Sequence, residues 1–397
     1  MQTIDVFSRI SEIPREDWDR LITTNVFATH GWLQTVETTY IGDIHPLYVL
    51  VREEGRTVGA TVCYIFSKTR TVEDLDDRLF GRVKPLILRL GISFMPTMVC
   101  GTLWGCGDHL AVELEADPES RFAVMNKLLD VVEGEANRNG LPLNLIDVPE
   151  EDLELASVLH RRGYSYSLDV PMTLLDICWS SFKEYEKHLD SVSRHARKNV
   201  RTQINRNRKS GTTVSILENV GEDAERLHEL MTMNYRKHWN LPFCFSRDFF
   251  SELQRNLGRN AVLHVSRKAG FITGVSMELR YNRMLHIPLV GIDHEKCGND
   301  MTYFLLAYYA TIAEAISAGM TRLYFGPGHY LMKMRLGCRT ANLFNWHKSH
   351  RPIAHHAAKL WSAILSSWIR YKLPRQVRFT QVTGPFKKPG HTKRLEI

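Results

Sequence analysis

The sequence predicts an α/β protein built from two tandem copies of one unit, and three observations carry that reading. The order hairpin, helix, glycine, strand occurs twice, once in residues 46–149 and again in 261–327. Glycines fall at matching places in the two copies, Gly59 with Gly274 and Gly140 with Gly319, the kind of internal self-similarity that marks a duplicated unit. The chain is 397 residues long and 44% hydrophobic, which at roughly 150 residues per domain suits two or three domains with real cores.

From Ile4 to Tyr40 a short strand leads into helical segments, because Trp18, Leu21, Ile22, Phe27, Trp32, Leu33 and Val36 recur at helical spacing. PLYVLVREEGRTVGATVCYIF (46–66) then reads as two β-rich runs around Glu54-Gly55, a hairpin signal. Thr71 to Pro96 interrupts the first copy with an acidic patch followed by a basic, apolar stretch. FAVMNKLLDVVEGEANRNG (122–140) is an amphipathic helix closed by a C-terminal glycine, and LPLNLIDVP (141–149) is a strand. In the second copy, residues 261–292 give strands broken at Ala269-Gly270 and Tyr281-Asn282, residues 302–319 a helix ending at Gly319, and residues 321–327 a strand. The predicted division is a first unit over 1–175 with its insert at 71–96, a second unit over 176–350 that begins with the arm 181–211, and a basic helix and tail over 351–397.

Composition excludes several classes. No apolar run approaches the roughly 18 residues that span a bilayer, and the first residues carry charges where a signal peptide has its apolar stretch; a cytoplasmic protein is expected. The seven cysteines form no Cys-x-x-Cys pair and do not sit with His at zinc-finger spacing, so neither a metal site nor a disulfide framework is expected. Gly-x-Ser-x-Gly, Walker-type and His-Glu-x-x-His motifs are absent from the sequence, which removes support for hydrolase, P-loop and zincin readings.

The formal charge of +7 is concentrated in two places. Between Arg194 and Lys209 there are seven basic residues and no acidic one. On a helix Arg194, Arg197, Lys198 and Arg201 form one stripe, a candidate phosphate clamp because Arg binds oxyanions bidentately. Asp190, Glu184 and Glu186, just upstream, keep open the plainer reading of a solvated basic face. The second concentration is the tail, ten Lys+Arg against one Glu from Arg351 on. There Leu360, Trp361, Ile364, Leu365, Trp368 and Ile369 read as one face of a docked helix, with an interfacial helix on anionic lipid as the alternative.

Two further stretches hold candidate chemistry. VGIDHEKCGNDMTYFLL (290–306) is a loop between a strand and a helix; Gly298, Asn299 and Thr302 sit where backbone N–H groups bind phosphate, while Asp300 reads as a helix cap. YFGPGHYLMKMRLGC (324–338) holds a Gly326-Pro327-Gly328 turn followed by His329, Tyr330, Lys333 and Arg335, with Lys333 suited to neutralising a phosphate or carbonyl charge. His294, Tyr303, His329 and Tyr330 are candidate proton-transfer groups.

NVFATHGWLQTVE (25–37), the junction 159–211 and residues 290–337 together resemble the GNAT-fold acyltransferases, in particular the Fem-like branch that carries two GNAT units in one chain. The resemblance covers most of the chain. It implies a mixed twisted sheet flanked by helices in each unit, strands splayed where the donor inserts, and attack of an amine on a thioester or aminoacyl ester with no tightly bound cofactor. Residue by residue, it implies that Gly298, Asn299 and Thr302 face the donor's phosphates. It also implies that Lys333 lies near the reacting or phosphate groups and that Arg194 and Arg197 border the cleft; from the residues themselves, Tyr330, His294 and Tyr303 join Lys333 as candidate catalytic groups, and Arg201, His329 and Arg335 join the two arginines as candidate substrate or phosphate contacts. The common Arg/Gln-x-x-Gly-x-Gly/Ala loop is replaced here by Lys296-Cys297-Gly298-Asn299-Asp300, a departure that aminoacyl-tRNA users of the branch tolerate.

The expected function is transfer of an acyl group from acyl-CoA to an amine or hydroxyl of a cell-envelope precursor, sugar or secondary metabolite. Two alternatives are a Fem-type transferase using aminoacyl-tRNA, with tRNA as partner, and a non-catalytic module binding a polyanion or an anionic membrane. DNA is not an expected partner.

Overall fold

The computed structural model describes residues 2–66, 75–89, 93–373 and 377. Its strands are β1 (Gln2–Phe7), β2 (Ile44–Glu53), β3 (Arg56–Phe66), β4 (Thr97–Cys100), β5 (Ala111–Val112), β6 (Leu143–Pro149), β7 (Ser165–Leu168), β8 (Met172–Asp176), β9 (Thr213–Ile216), β10 (Ala261–Lys268), β11 (Phe271–Tyr281), β12 (Met284–Ile292), β13 (Arg322–Gly326), β14 (Arg339–Ala341) and β15 (Leu343–Lys348). They form two mixed sheets. The first has the order β1-β2-β3-β4-β6-β15-β7 with β5 beside β3; the second has the order β14-β8-β13-β12-β11-β10-β9. Each sheet contains one parallel pair, β4 with β6 and β12 with β13, and is flanked by helices, so the architecture is that of two tandem GNAT-like units.

The duplication read from the sequence is present in detail. The hairpins turn at Glu54-Gly55 and Ala269-Gly270. The helices Pro118–Arg138 and Thr302–Ser317 are followed by left-handed glycines, Gly140 and Gly319, where the absence of a Cβ lets the chain reverse toward the next strand. Gly59 and Gly274 share a role: an added Cβ would lie 2.3 Å from Val124 Cγ1 of the first helix, or 2.7 Å from Leu306 Cδ1 of the second. Each glycine lets its helix approach the middle of its sheet.

The division predicted at 175/176 differs from the sheet boundary. β8 pairs in the second sheet with β13 and β14, and β15, predicted within the second unit, lies between β6 and β7 of the first. The β-rich runs and their turns were readable from the sequence; which sheet a strand joins is set by long-range pairing. The units are also joined by an aromatic cluster in which Phe245 stacks on Phe249 at 4.2 Å and packs against Trp104 at 4.9 Å and Trp32 at 6.3 Å. Trp18, Leu21, Ile22, Phe27, Trp32, Leu33 and Val36 are all buried.

Within the predicted insert, residues 75–89 form the short helices Leu75–Phe80 and Lys84–Arg89 joined by a tight turn; 71–74 and 90–92 lie outside the described residues. The arm is two helices, Phe182–Val192 and Ala196–Lys209, and the tail contributes the helix Pro352–Lys372; beyond it, 374–376 and 378–397 lie outside the described residues. The face predicted to dock is only partly buried. Leu365 and Ile369 are covered, whereas Leu360, Ile364 and Trp368 are exposed, because the helix meets the first sheet along a narrow stripe where Ser366 Oγ accepts the Leu168 N–H at 2.9 Å.

Candidate functional site

In both units the parallel pair parts after a short register. β4 and β6 pair only at Met98↔Leu143 and Val99↔Asn144; β12 and β13 pair only from Met284↔Arg322 to His286↔Tyr324. A parted pair leaves backbone donors and acceptors that must find other partners. In the first unit the protein supplies its own: His109, buried, bonds the Ile146 carbonyl through Nε2 at 2.6 Å. A Cβ on Gly101 would lie 2.5 Å from the His109 ring, so that ring fills the gap. Burial lowers the His109 pKa, consistent with a neutral imidazole donating from Nε2.

In the second unit β12 continues past His286, where among the described residues its strand partner is β11 alone. At the root of this wedge His286 and Tyr324 stack at 4.5 Å with an interplanar angle of 2°, and Phe27 of the first unit meets His286 edge-on at 5.6 Å. Burial pushes His286 down to about 4, so it is neutral at physiological pH. Sequence reasoning missed both residues, and only the register of the parallel pair reveals them.

Three of the predicted residues, Tyr303, His329 and Lys333, gather near the end of β13. Tyr303 lies 6.3 Å from His329 and 6.0 Å from Tyr308, ring to ring, and Tyr308 packs on Phe325 at 5.5 Å. Burial raises the pKa of the Tyr303 hydroxyl. A π-helical turn at Leu305–Tyr309, a distortion frequent at functional sites, sets these rings within the helix Thr302–Ser317. Lys333, on the helix Tyr330–Arg335, is buried and donates to the carbonyls of Phe325 at 2.9 Å, Gly326 at 2.9 Å and Pro327 at 3.1 Å. All three ammonium protons are thereby committed. Burial pushes its pKa down to about 8, with the Cys338 thiol acting the other way, so the amine is mainly charged at pH 7. Lys333 thus neutralises carbonyl charge and holds the Gly326-Pro327-Gly328 turn.

The other candidates have different partners. The Tyr330 hydroxyl donates to the Pro171 carbonyl at 2.9 Å, and burial pushes it up to about 12. His294 is exposed and 2.9 Å from Lys237 Nζ on the helix Ala224–Trp239; partial burial, then Lys237, lowers its pKa. Arg335 is exposed.

The loop read as a phosphate cradle carries its own anion. The Thr302 N–H donates to Asp300 Oδ1 at 2.9 Å, the Thr212 hydroxyl donates to Asp300 Oδ2 at 3.0 Å, and Lys268 Nζ lies 3.4 Å from the same oxygen. Burial by itself raises the Asp300 pKa, but the bonds from Thr302, Thr212 and Lys268 bring it below the usual value. The Thr302 hydroxyl accepts from Asn207 at 3.1 Å. Thr302 therefore has its amide filled by a buried carboxylate, the capping role expected of Asp300, while Gly298 and Asn299 are exposed.

The basic arm is partly neutralised. Arg197 pairs with Asp190 at 2.7 Å and Arg201 with Glu186 at 3.0 Å, which corresponds to the plainer reading for these two residues. Arg194, Lys198, Arg206, Arg208 and Lys209 are exposed.

Among solved structures the fold is similar to FemX, at 12% identity and a TM-score of 0.56 over 87% of this chain and 98% of that one. It is also similar to the C-terminal domain of a lysylphosphatidylglycerol synthetase from Agrobacterium fabrum, at 14% identity and a TM-score of 0.53 over 88% of this chain and 96% of that one. At such identities the likeness speaks for the fold. No curated relative matches the sequence. The sequence pattern of one family, described by peptidoglycan biosynthesis and recognition, matches residues 9–387, and with nearly the whole length accounted for, the chain belongs to the FemAB-like family.

Proposed function

We propose that this protein is an acyltransferase that moves an acyl group from acyl-CoA to an amine or hydroxyl of a cell-envelope precursor, working in the cytoplasm at the inner face of the membrane. The observation that carries the reading is the contrast between the units: the first wedge is filled by His109, whereas the second has Tyr303, His329 and the Lys333-held turn near its opening strand end. The donor's amides pair with the free edge of β12, and the acceptor reaches the thioester from the side of β13. Tyr303 and His329 are assigned proton transfer from the attacking group and to the leaving thiolate. Lys333 is a positioning residue, because its protons are already shared among three carbonyls.

Aminoacyl-tRNA as donor is the second reading, favoured by the exposed cations Arg194, Lys198, Arg206, Arg208 and Lys209 along one arm. The test is thermal stabilisation by coenzyme A, acetyl-CoA and a longer acyl-CoA, beside charged and uncharged bulk tRNA at low and moderate salt, since a ligand that binds the folded state raises its melting temperature. A shift with the coenzymes is expected. A shift with tRNA alone that fades with salt transfers the reading to aminoacyl-tRNA, and silence from both removes the donor site.

A further inference from the structure

We propose that the uncovered face of the helix Pro352–Lys372, together with the neighbouring helix Lys84–Arg89, docks on an anionic lipid bilayer. The tail helix carries two separate apolar stripes. Leu365 and Ile369 dock on the first sheet. Ile353, Leu360, Ile364, Trp368 and Tyr371, spaced by seven, four, four and three residues, form a second stripe of their own. That second stripe is exposed throughout, from 46% at Trp368 to 87% at Ile353. Beside it Phe80 meets Trp361 edge-on at 5.2 Å, which brings the chain leading to Lys84–Arg89 alongside, and there Val83, Leu86 and Leu88 are exposed as well. Exposed apolar side chains are ordinary when scattered; in the tail helix five of them fall on one helical stripe.

Charge selects the occupant. Residues 349–373 contain no Asp or Glu, but they contain Arg351, Lys359, Arg370 and Lys372 with His350, His355 and His356. Lys372 Nζ lies 4.0 Å from the centre of the Trp368 ring, so cation and aromatic end together at the border of the stripe, where an interfacial helix keeps its cations near lipid phosphates. No described helix is long and apolar enough to cross a membrane, and a helix with one face already docked lies along the surface. At its N-terminal end a cavity of about 840 Å³ lined by Phe94, Met95, Pro142, Ala357 and Trp361, with Arg351 among its residues, continues the apolar surface inward. The proposal deepens the cell-envelope reading, which supplies the reason for a membrane nearby, but its test needs no substrate.

The experiment is co-sedimentation of the full chain with vesicles of phosphatidylcholine plus phosphatidylglycerol, and with phosphatidylcholine alone, at low and high salt. The wild type is expected to pellet with the anionic vesicles, and less with the neutral ones or in salt. Leu360→Glu combined with Ile364→Glu is expected to lower partitioning by about tenfold, and Trp368→Ser, which adds no charge, by roughly threefold. Arg206→Glu with Arg208→Glu, on the arm, leaves vesicle binding unchanged. Thermal melts and acyl-CoA stabilisation of each variant monitor the fold and the donor site separately, so failure of one reading is distinguishable from failure of the other. The proposal is overturned if the wild type stays in the supernatant, if the stripe variants pellet like wild type, if the arm variant is the one that loses binding, or if the stripe holds two copies of the chain together in solution.

Discussion

Replacing Asp300 with Ala tests what occupies the start of the helix Thr302–Ser317. The carboxylate accepts from the Thr302 N–H and the Thr212 hydroxyl, and both residues are buried; Lys268 is a longer, partly exposed partner at 3.4 Å. Removing the acceptor orphans a buried amide, at a cost of about 1–3 kcal/mol if water does not replace it, while the Thr212 hydroxyl keeps Ser210 Oγ at 3.0 Å. With partial hydration the net loss is about 2 kcal/mol, or roughly 2–3 °C in melting temperature for a chain of this size. Asp300→Asn keeps an acceptor for the amide and is expected to cost about 1 kcal/mol. The sign with pH follows from the lowered carboxyl pKa. The contribution is complete above the unfolded value of 3.8 and disappears as pH falls through the lower folded value, so the wild type and Asp300→Ala converge only in strong acid. Urea unfolding at pH 7 and in acid measures the first effect, and coenzyme A-induced stabilisation supplies a second readout. If donor phosphate lies against the Thr302 amide, removing the carboxylate strengthens coenzyme binding; if affinity is unchanged, the phosphates lie elsewhere. An Asp300→Ala protein as stable as wild type at pH 7 would refute the capping account altogether.

Two further outcomes follow from packing and charge. Gly291→Ala puts a Cβ 2.8 Å from the Leu230 carbonyl carbon and 3.0 Å from the Met231 nitrogen. Backbone cannot rotate away, so a loss of about 2 kcal/mol is expected in chemical denaturation. Gly59→Ala, which meets the Val124 side chain, should cost less, and the reverse order would contradict the geometry. Glu133 is shared by Arg162 and Lys348, each at 2.8 Å. Burial by itself raises its pKa, but those two partners bring it below the usual value. Glu133→Gln should therefore cost about 1–2 kcal/mol at pH 7, with the difference complete above the unfolded value of 4.5 and lost as pH falls through the lower folded value; a difference that persists undiminished in strong acid would assign the effect to packing.

The duplicated plan was legible because it rests on local signals. Glu54-Gly55 and Ala269-Gly270 announce hairpins, Gly140 and Gly319 close helices, and the apolar periodicity of residues 18–36 marks a buried face. Of the strands at which the wedges open, β6, β12 and β13 were predicted and β4 was not, and no local pattern discloses where a parallel pair separates, so His109, His286 and Tyr324 escaped notice. Lys333 was recognisable as a candidate for neutralising charge from the Gly-Pro-Gly turn before it; that it is buried and its amine saturates three carbonyls depends on the path of the turn. The stripe Arg194, Arg197, Lys198 and Arg201 looked like a clamp, and Asp190 and Glu186 neutralise two of its residues because the helix Phe182–Val192 folds back beside Ala196–Lys209. The amide of Thr302 showed the opposite case: Asp300 was legible as a cap two residues away, and the structure gives the same short-range bond.

The insertion of β15 between β6 and β7 has a consequence for how the molecule is made. Residues 343–348 form an interior row of the first sheet, yet they are translated some two hundred residues after its other strands. Until they emerge from the ribosome, β6 and β7 have no strand between them, and their unpaired edges are open to the wrong partner. The first half of the chain is thus unable to finish folding as it is synthesised, contrary to the usual domain-by-domain order, and a fragment that stops before residue 343 is expected to aggregate. Closure of that sheet is instead a late, long-range event that commits both halves at once.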